Sequence, residues 1–195
     1  NDIAIQGVGA VGRHLALELH AKGARLTVAD IDPARARRVA DETGAQVVSI
    51  DTIFDTECDI FAPCALGGAV NTTTVDRLRC RAVAGAANNQ LESVEVGRTL
   101  QGRNIFYAPD YAINAGGLIN VAQEFAGYDA EKARTRASGI YTTIREIAER
   151  QKAVGDPSRY QGLINAAKAG VVIGFGTDAG SPVVGHDVIA PEMAF

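Results

Sequence analysis

The stretch Ile3-Ala4-Ile5-Gln6-Gly7-Val8-Gly9-Ala10-Val11-Gly12 decides the fold of this 195-residue chain. Its apolar start predicts a short buried strand, and the glycines that follow predict a tight turn. Beyond the turn, Val11, Leu15 and Leu19 recur at four-residue spacing, which predicts a helix with one apolar face. The order of strand, glycine-rich turn and helix is typical of a parallel sheet covered by helices.

The same alternation continues along the chain. A second helix is predicted to start at Asp32 and Pro33, a favoured N-cap and a favoured first helical residue. Residues 114–152 are predicted to be mostly helical, with Gly127 as a break. We therefore predict an α/β fold, a doubly wound, Rossmann-like parallel sheet with helices on both faces. Further strands are predicted at residues 25–30, 47–50, 60–62, 82–85 and 105–108.

Composition and charge argue against several classes of function. The chain is 47% hydrophobic and 22% charged, with a formal net charge of −4, and no block of like charge favours nucleic acid as a partner. No apolar run approaches the roughly 20 residues that a membrane helix needs. Cys58, Cys64 and Cys80 lack metal-binding spacing, and we interpret them as reduced thiols of a cytoplasmic protein. Because the sequence begins at Asn1 without a secretory signal, we interpret its start as a cut inside a longer protein.

The glycine-rich turn is a candidate nucleotide site. Gly7, Gly9 and Gly12 fit the spacing G-x-G-x-x-G between a predicted strand and a predicted helix. In this arrangement Gly7 allows the tight turn, Gly9 lets a diphosphate approach the backbone, and Gly12 lets the helix lie close to its strand. The amides at the helix start, at Ala10 and Val11, then face the phosphates with the positive end of the helix dipole behind them. We predict dinucleotide binding here; the alternative is a glycine triplet that only makes a close turn.

Asp30 is the candidate partner of a cofactor ribose. It lies 18 residues after Gly12, at the end of a predicted strand. A carboxylate in this place accepts hydrogen bonds from the ribose diol of NAD and repels the 2′-phosphate of NADP. We therefore predict NAD as the cofactor. Two alternatives stay open: Asp30 only ends a strand, or Arg35, Arg37 and Arg38 meet a 2′-phosphate.

Four further segments carry a resemblance to a known family. They are Phe61-Ala62-Pro63-Cys64-Ala65-Leu66-Gly67-Gly68, Ala84-Gly85-Ala86-Ala87-Asn88-Asn89-Gln90-Leu91, Tyr107-Ala108-Pro109-Asp110-Tyr111 and Ile113-Asn114-Ala115-Gly116-Gly117-Leu118-Ile119-Asn120-Val121. Together with the glycine-rich turn, and in this order, they resemble the cofactor-binding domain of the Glu/Leu/Phe/Val dehydrogenases, above all the leucine-type members. The resemblance covers residues 3–150.

The resemblance implies an activity and a cofactor path. The activity is NAD-dependent oxidative deamination of a branched-chain or other apolar L-amino acid to its 2-oxo acid and ammonia. By resemblance, Cys64, Ala65 and Leu66 follow the cofactor near its riboses, and Asn88 and Asn89 lie near its nicotinamide end. Both asparagines also suit a plain turn or a helix cap.

The resemblance also implies a substrate side of the site. Asn114 would hold the nicotinamide or the substrate, and Leu118 and Val121 would line the pocket for the substrate side chain. Ligands of open α/β sheets lie outside the carboxyl ends of the strands, which agrees with these positions. Asn114 also suits a helix cap, and Leu118 and Val121, three residues apart, also suit a plain core face.

No catalytic residue is assigned. The resemblance implies that the catalytic lysines and an aspartate belong to a separate substrate-binding domain that precedes the cofactor domain. None of the four lysines lies in a glycine-rich motif like that of the family. We expect this chain alone to bind NAD(H) without oxidising an amino acid, and we expect a small-molecule amino-acid substrate and a homo-oligomer for the full-length protein.

Residues 1–152 are predicted to form the dinucleotide-binding domain, and residues 153–195 an atypical C-terminal tail of helix, strand and loop. The tail weakly resembles the last barrel strand of the metal-dependent amidohydrolases, in which a residue at the position of Asp178 binds metal. His186 follows, but the chain has no His-x-His pair, so we predict no metal site. Two alternative functions stay open: a non-catalytic NAD-binding module, and a fragment of a metal-dependent amidohydrolase.

Overall fold

The computed structural model describes residues 1–124 and 129–152. The strands are Asp2–Gln6 (β1), Arg25–Ala29 (β2), Gln46–Val47 (β3), Ile60–Pro63 (β4), Ala82–Val83 (β5) and Phe106–Tyr107 (β6). The helices are Ala10–Ala21 (α1), Pro33–Thr43 (α2), Val94–Gly102 (α3), Asp110–Ile113 (α4), Gly116–Glu124 (α5) and Ala130–Lys152 (α6). Thr52–Asp55 forms the first 3₁₀ turn, after β3, and Val75–Arg77 forms the second 3₁₀ turn, after β4.

The strands of the described residues form one parallel sheet in the order β3-β2-β1-β4-β5-β6. The chain winds outward from β1 to β3, returns to the centre, and winds the other way from β4 to β6. Because the direction reverses between β1 and β4, the loops after these strands diverge and leave a crevice at the carboxyl edge of the sheet. The predicted doubly wound, Rossmann-like fold is confirmed.

Each face of the sheet carries a hydrophobic core. On one face, Ile3 and Ile5 of β1 belong to the same buried cluster as Leu19 of α1. On the other face, Ala4 of β1 belongs to a second cluster with Leu100 of α3. Successive side chains of a strand point to opposite faces, so a strand covered on both sides must be apolar throughout. This explains why the opening apolar run predicts the centre of the sheet.

Strand β3 is shorter than the sequence predicts. A strand over residues 47–50 is predicted, whereas β3 covers Gln46–Val47. The Ser49 hydroxyl accepts a hydrogen bond from the Thr52 amide at 3.0 Å, which turns the chain out of the sheet and into the first 3₁₀ turn. Strands β5 and β6 are likewise two residues shorter than predicted.

The predicted helices are confirmed where the structure describes them. The Asp32 carboxylate caps α2, as predicted, by accepting a hydrogen bond from the Ala34 amide at 2.9 Å. Gly127 and the tail of residues 153–195, with Asp178 and His186, lie outside the described residues, so the division of the chain at residue 152 stays a prediction. No helix within residues 1–124 or 129–152 has the length and apolar character to cross a membrane.

Candidate nucleotide-binding site

Two positions of the glycine-rich turn have no room for a side chain. Gly7 has a φ of +92°, and a Cβ there would lie 2.7 Å from the Ala65 nitrogen. A Cβ on Gly12 would lie 2.0 Å from the carbonyl oxygen of Gly7. The Gly7 amide donates to the Ala29 carbonyl at 2.8 Å and so fastens the turn to β2. Glycine at these positions therefore lets α1 start directly against the end of β1.

Gly9 differs from Gly7 and Gly12 because the space beside it is open. Nothing in the described structure lies within 4 Å of the place where its Cβ would stand. Gly9 is the N-cap of α1, and no described side chain caps the amides of that helix start, which begins with Ala10 and Val11. Uncapped backbone donors and the positive end of a helix dipole thus lie beside open space, the arrangement that binds phosphate groups.

The Asp30 carboxylate holds the turn in place. Its Oδ2 accepts a hydrogen bond from the Val8 amide at 2.8 Å, and its Oδ1 accepts one from the Asp32 amide at 2.9 Å. A carboxylate has about four acceptor sites, so both oxygens keep capacity for a further donor such as a ribose hydroxyl. Asp30 therefore both braces the turn and offers acceptors beside it.

A cleft of about 610 Å³ opens beside the glycine-rich turn, a size within the roughly 300–1,000 Å³ of small-molecule sites. One rim is apolar although it faces solvent, because Ile31 is 81% exposed, Leu66 86% and Ile50 46%. An exposed apolar rim favours a flat, weakly polar ligand part such as a purine ring. The remaining lining residues are Gln6, Gly7, Gly9, Ala29, Asp30, Arg35, Phe54, Cys64, Ala65, Gly67, Gly68 and Ala69.

Three residues that line this cleft, Ile31, Ile50 and Phe54, are not predicted from the sequence. Ile31 had a local signal, since a large apolar residue directly after Asp30 in a turn is unusual. Ile50 and Phe54 had none, because they enter the cleft only when the chain leaves β3 and forms the first 3₁₀ turn.

A second cleft of about 380 Å³ also borders Gly9, and Arg13, Arg35 and Arg38 line it. Two of these cations are paired: Arg13 with Glu42 at 2.7 Å and Arg35 with Asp32 at 3.4 Å. Arg37 is exposed and lines neither cleft. Of the three arginines considered for a 2′-phosphate, Arg35 and Arg38 therefore line this cleft together, and Arg37 does not.

The loop after β4 forms the other wall of the cleft, and the loop after β5 packs against that loop without lining the cleft. Ala65 packs on Gly7 of the glycine-rich turn, as the close approach of its nitrogen shows. The Gly68 amide donates to the Asn89 carbonyl at 2.7 Å, and Asn89 has a left-handed φ of 50°. The predicted cofactor residues 64–66 thus lie between the glycine-rich turn and the loop after β5 that carries Asn88 and Asn89, which we call the asparagine loop.

Asn88 and Asn114 meet in the structure, as the resemblance implies for one site. The side-chain Nδ2 of Asn114 donates to Asn88 Oδ1 and, at 3.4 Å, to the Ala86 carbonyl. Within the described residues, Asn114 Oδ1 and Asn88 Nδ2 take part in no hydrogen bond. The Asn88–Asn114 pair therefore leaves one acceptor and one amide donor without a partner among the described residues, and a carboxamide can pair with one of each.

Asp110 braces the asparagine loop, a role that the sequence does not reveal. Its Oδ2 accepts from the Gln90 amide at 3.1 Å, and its own amide donates to the Tyr107 hydroxyl at 3.2 Å. Burial raises the pKa of Tyr107, so this hydroxyl stays protonated. The start of α4 is in this way tied to the loop that carries Asn88.

Leu118 and Val121 have different surroundings on α5. Leu118 is 75% exposed, whereas Val121 is half-buried and packs against the core cluster that includes Ile113. Leu118 is therefore not a core residue, and its side chain is accessible to a substrate or to another part of the protein.

Cys64 should be unreactive although it lines the cleft. Burial raises the pKa of the Cys64 thiol to about 12, and burial also raises the pKa of Cys58 to about 12 and of Cys80 to about 11. Only the thiolate is nucleophilic, so we expect iodoacetamide at about pH 8 to leave the native chain unlabelled while the denatured chain reacts at all three cysteines. Rapid labelling of Cys64 in the native chain, followed by mass spectrometry, would contradict this assignment.

The strand order, the glycine-rich turn after β1 and the acidic residue after β2 define the class of Rossmann-like domains. The comparisons narrow the class: the chain belongs to the Glutamate/Leucine/Phenylalanine/Valine dehydrogenase family, whose sequence model matches residues 28–169. It is 51% identical over 156 residues to leucine dehydrogenase of Thermoactinomyces intermedius, covering 80% of this chain and 43% of that protein. It is 47% identical over 154 residues to L-tryptophan dehydrogenase of Nostoc punctiforme, covering 78% and 44%.

A solved structure agrees with these relatives. The crystal structure of L-tryptophan dehydrogenase from Nostoc punctiforme matches 85% of this chain and 51% of that chain, with a TM-score of 0.74 and 44% identity. The chain thus spans less than half the length of the curated relatives named here. The chain is therefore a member of an amino-acid dehydrogenase family.

Proposed function

We propose that this chain is the coenzyme-binding part of an NAD-dependent amino-acid dehydrogenase, which deaminates a branched-chain or other apolar L-amino acid to its 2-oxo acid. The observation that carries the proposal is the open space beside Gly9 at the uncapped start of α1, in a chain of this family. The names of the relatives, leucine and tryptophan dehydrogenases, favour an apolar amino acid.

The described residues fit the adenosine half of NAD. The diphosphate would lie beside Gly9 and accept hydrogen bonds from the amides of Ala10 and Val11. The ribose hydroxyls would donate to Asp30. Ile31 and Ile50 would contact the adenine from the apolar rim, and the apolar environment would exclude water from its faces.

The asparagine loop suits the nicotinamide half. NAD, when bound, supplies the hydride acceptor. Asn114 Oδ1 and Asn88 Nδ2 would accept from and donate to the carboxamide and hold the ring in one orientation. Cys64 and Leu66 would border the path between the two halves, together with Ala65 and Asn89. The neutral Cys64 thiol would add no negative charge there.

The remaining parts of the proposal concern the whole protein. We propose that Leu118 and Val121 face the substrate side chain, that the catalytic lysines lie outside the residues assigned to the coenzyme site, and that the chain alone binds NAD(H) without turnover. A homo-oligomer and a cytoplasmic location remain predictions. We also propose that residues 1–152 form the coenzyme domain and residues 153–195 a separate tail.

Coenzyme preference tests the assignment of Asp30. We expect the chain to bind NADH at least about tenfold more tightly than NADPH, because the carboxylate accepts from the 2′-hydroxyl and repels a 2′-phosphate. Asp30→Asn removes the charge and keeps only one of the two acceptors that bond the Val8 and Asp32 amides, so it should weaken NADH binding, and loss of the charge should shrink the preference by about tenfold. The measurement is titration of each variant while the fluorescence of the reduced nicotinamide is followed.

Asp41→Asn is the matched control, since Asp41 is an exposed carboxylate on α2 that lines neither cleft. It should change neither affinity. Equal binding of NADH and NADPH by the unsubstituted chain, or an unchanged ratio in Asp30→Asn, would show that Asp30 does not select the coenzyme.

A further inference from the structure

The first 3₁₀ turn carries one wall of the adenosine end of the cleft. Ile50 precedes the turn and Phe54 lies within it, and both side chains line the cleft. The turn is a single short element outside the sheet, with the carboxylates of Asp51 and Asp55 at its two ends. Two like charges at the ends of one turn repel each other and oppose its closure. Burial of Ile53 in the core anchors the turn from one side, and a cation between the two carboxylates would relieve their repulsion.

Arg77 of the second 3₁₀ turn lies between the two carboxylates. Its Nε and Nη2 donate to Asp55 Oδ1 at 3.1 Å and Oδ2 at 2.7 Å, a bidentate pair. Its Nη1 donates to Asp51 Oδ1 at 2.8 Å, and Nη2 also donates to the Asp51 carbonyl at 2.7 Å. One planar guanidinium thus bonds to both ends of the first 3₁₀ turn. An ammonium group has too few donors, and the wrong geometry, to make all of these hydrogen bonds.

The same guanidinium also fixes the orientation of the aromatic wall. Its central carbon lies 5.7 Å from the centroid of the Phe54 ring, and the Phe54 ring lies 5.4 Å from that of Phe61 in β4. Phe54 is therefore held between a cation and a core ring. The Arg77 hydrogen bonds lower the pKa of Asp55, so the Asp55 carboxylate is ionised at neutral pH and stays paired with the guanidinium.

We infer that Arg77 is a positioning residue for coenzyme binding, which holds the Ile50 and Phe54 wall against the adenosine half through the first 3₁₀ turn. The inference rests on the proposed function, because it assigns the adenosine half to this end of the cleft. Arg77 itself does not line the cleft. Its effect on the coenzyme is therefore indirect, through the residues that do.

Arg103 is a matched control in the same region. It donates to the carbonyls of Val75 and Leu78, the latter at 2.8 Å, and so ties the end of α3 to the second 3₁₀ turn. The structure shows no hydrogen bond or ion pair from Arg103 to the first 3₁₀ turn among the described residues. Loss of either arginine should lower stability, but only loss of Arg77 should release the wall of the cleft.

The test compares Arg77→Gln, Arg77→Lys and Arg103→Gln in the full 195-residue chain. NADH affinity is measured by fluorescence titration, AMP affinity by competition against NADH, and stability by urea unfolding. We expect Arg77→Gln to weaken NADH and AMP by the same factor, about tenfold, because the apolar wall contacts only the adenosine half. Arg77→Lys should recover part of this loss, and Arg103→Gln should stay within about twofold of the unsubstituted chain.

Three results would overturn the inference: unchanged NADH affinity in Arg77→Gln, equal losses in Arg77→Gln and Arg103→Gln, or a loss for NADH without a loss for AMP. If Arg77→Gln does not fold, Arg77→Lys carries the same comparison, and unchanged NADH and AMP affinity in that variant would count against the inference. Failure of the unsubstituted chain to bind NADH would instead refute the proposed function, so the two failures are distinguishable.

Discussion

Gly9→Ala should fold as stably as the unsubstituted chain and bind NADH about a hundredfold more weakly. The structure has open space where the new Cβ would stand, and the backbone at Gly9 is extended with a negative φ, so the substitution costs the free protein little. In the proposed complex that same space holds the diphosphate, and a methyl group would push it away from the amides at the start of α1. The loss should therefore appear in binding alone.

The measurement is NADH titration together with urea unfolding of the same samples. Gly139→Ala is the matched control, because Gly139 lies in α6 with open space beside it and far along the chain from the site. It should leave NADH affinity unchanged and add up to about 1 kcal/mol of stability through helix propensity. Normal NADH binding by Gly9→Ala would show that the diphosphate does not lie at this turn.

In contrast to Gly9→Ala, Gly12→Ala should strongly lower the free energy of unfolding. Its Cβ would stand 2.0 Å from the Gly7 carbonyl oxygen and 3.0 Å from the Gly7 carbonyl carbon. These are backbone atoms that no rotamer change can move aside, so α1 must shift away from β1. Overpacking of this kind costs about 3 kcal/mol, which corresponds to a fall of roughly 6–12 °C in Tm for a chain of this size.

Thermal unfolding of Gly12→Ala and Gly9→Ala side by side separates the two roles of the turn. Gly12→Ala should unfold at a lower Tm than the unsubstituted chain, and Gly9→Ala should unfold at the same Tm. A Gly12→Ala variant as stable as the unsubstituted chain would mean that α1 does not lie as close to β1 as the structure has it.

The parts of the site that local sequence encodes could be predicted. The spacing of Gly7, Gly9 and Gly12 between an apolar run and an amphipathic run specifies strand, turn and helix within a dozen residues. Asp30 could be placed because it directly follows the next strand, and parallel strands bring their carboxyl ends to one edge. The resemblance assigned Asn88 to the nicotinamide end and Asn114 to the nicotinamide or substrate side, and the structure joins the two by a hydrogen bond.

The parts that depend on contacts between distant segments could not be predicted. Ile50 and Phe54 join the cleft only because β3 ends early and a hydroxyl of Ser49 starts a turn. Arg77 reaches Asp51 and Asp55 across 26 and 22 residues of sequence, and no periodicity reports such a pairing. Sequence patterns therefore predicted the glycine-rich turn and the place of Asp30, while the contacts that support the walls of the cleft could be found only from the fold.

We propose that the crevice between β1 and β4 holds a dinucleotide with its diphosphate beside Gly9. The most direct test is calorimetric titration of the unsubstituted chain with NADH, repeated after saturation with AMP. We predict saturable binding of a single NADH per chain that AMP abolishes by competition. Heat that never saturates, or NADH binding that AMP leaves unchanged, would contradict the account.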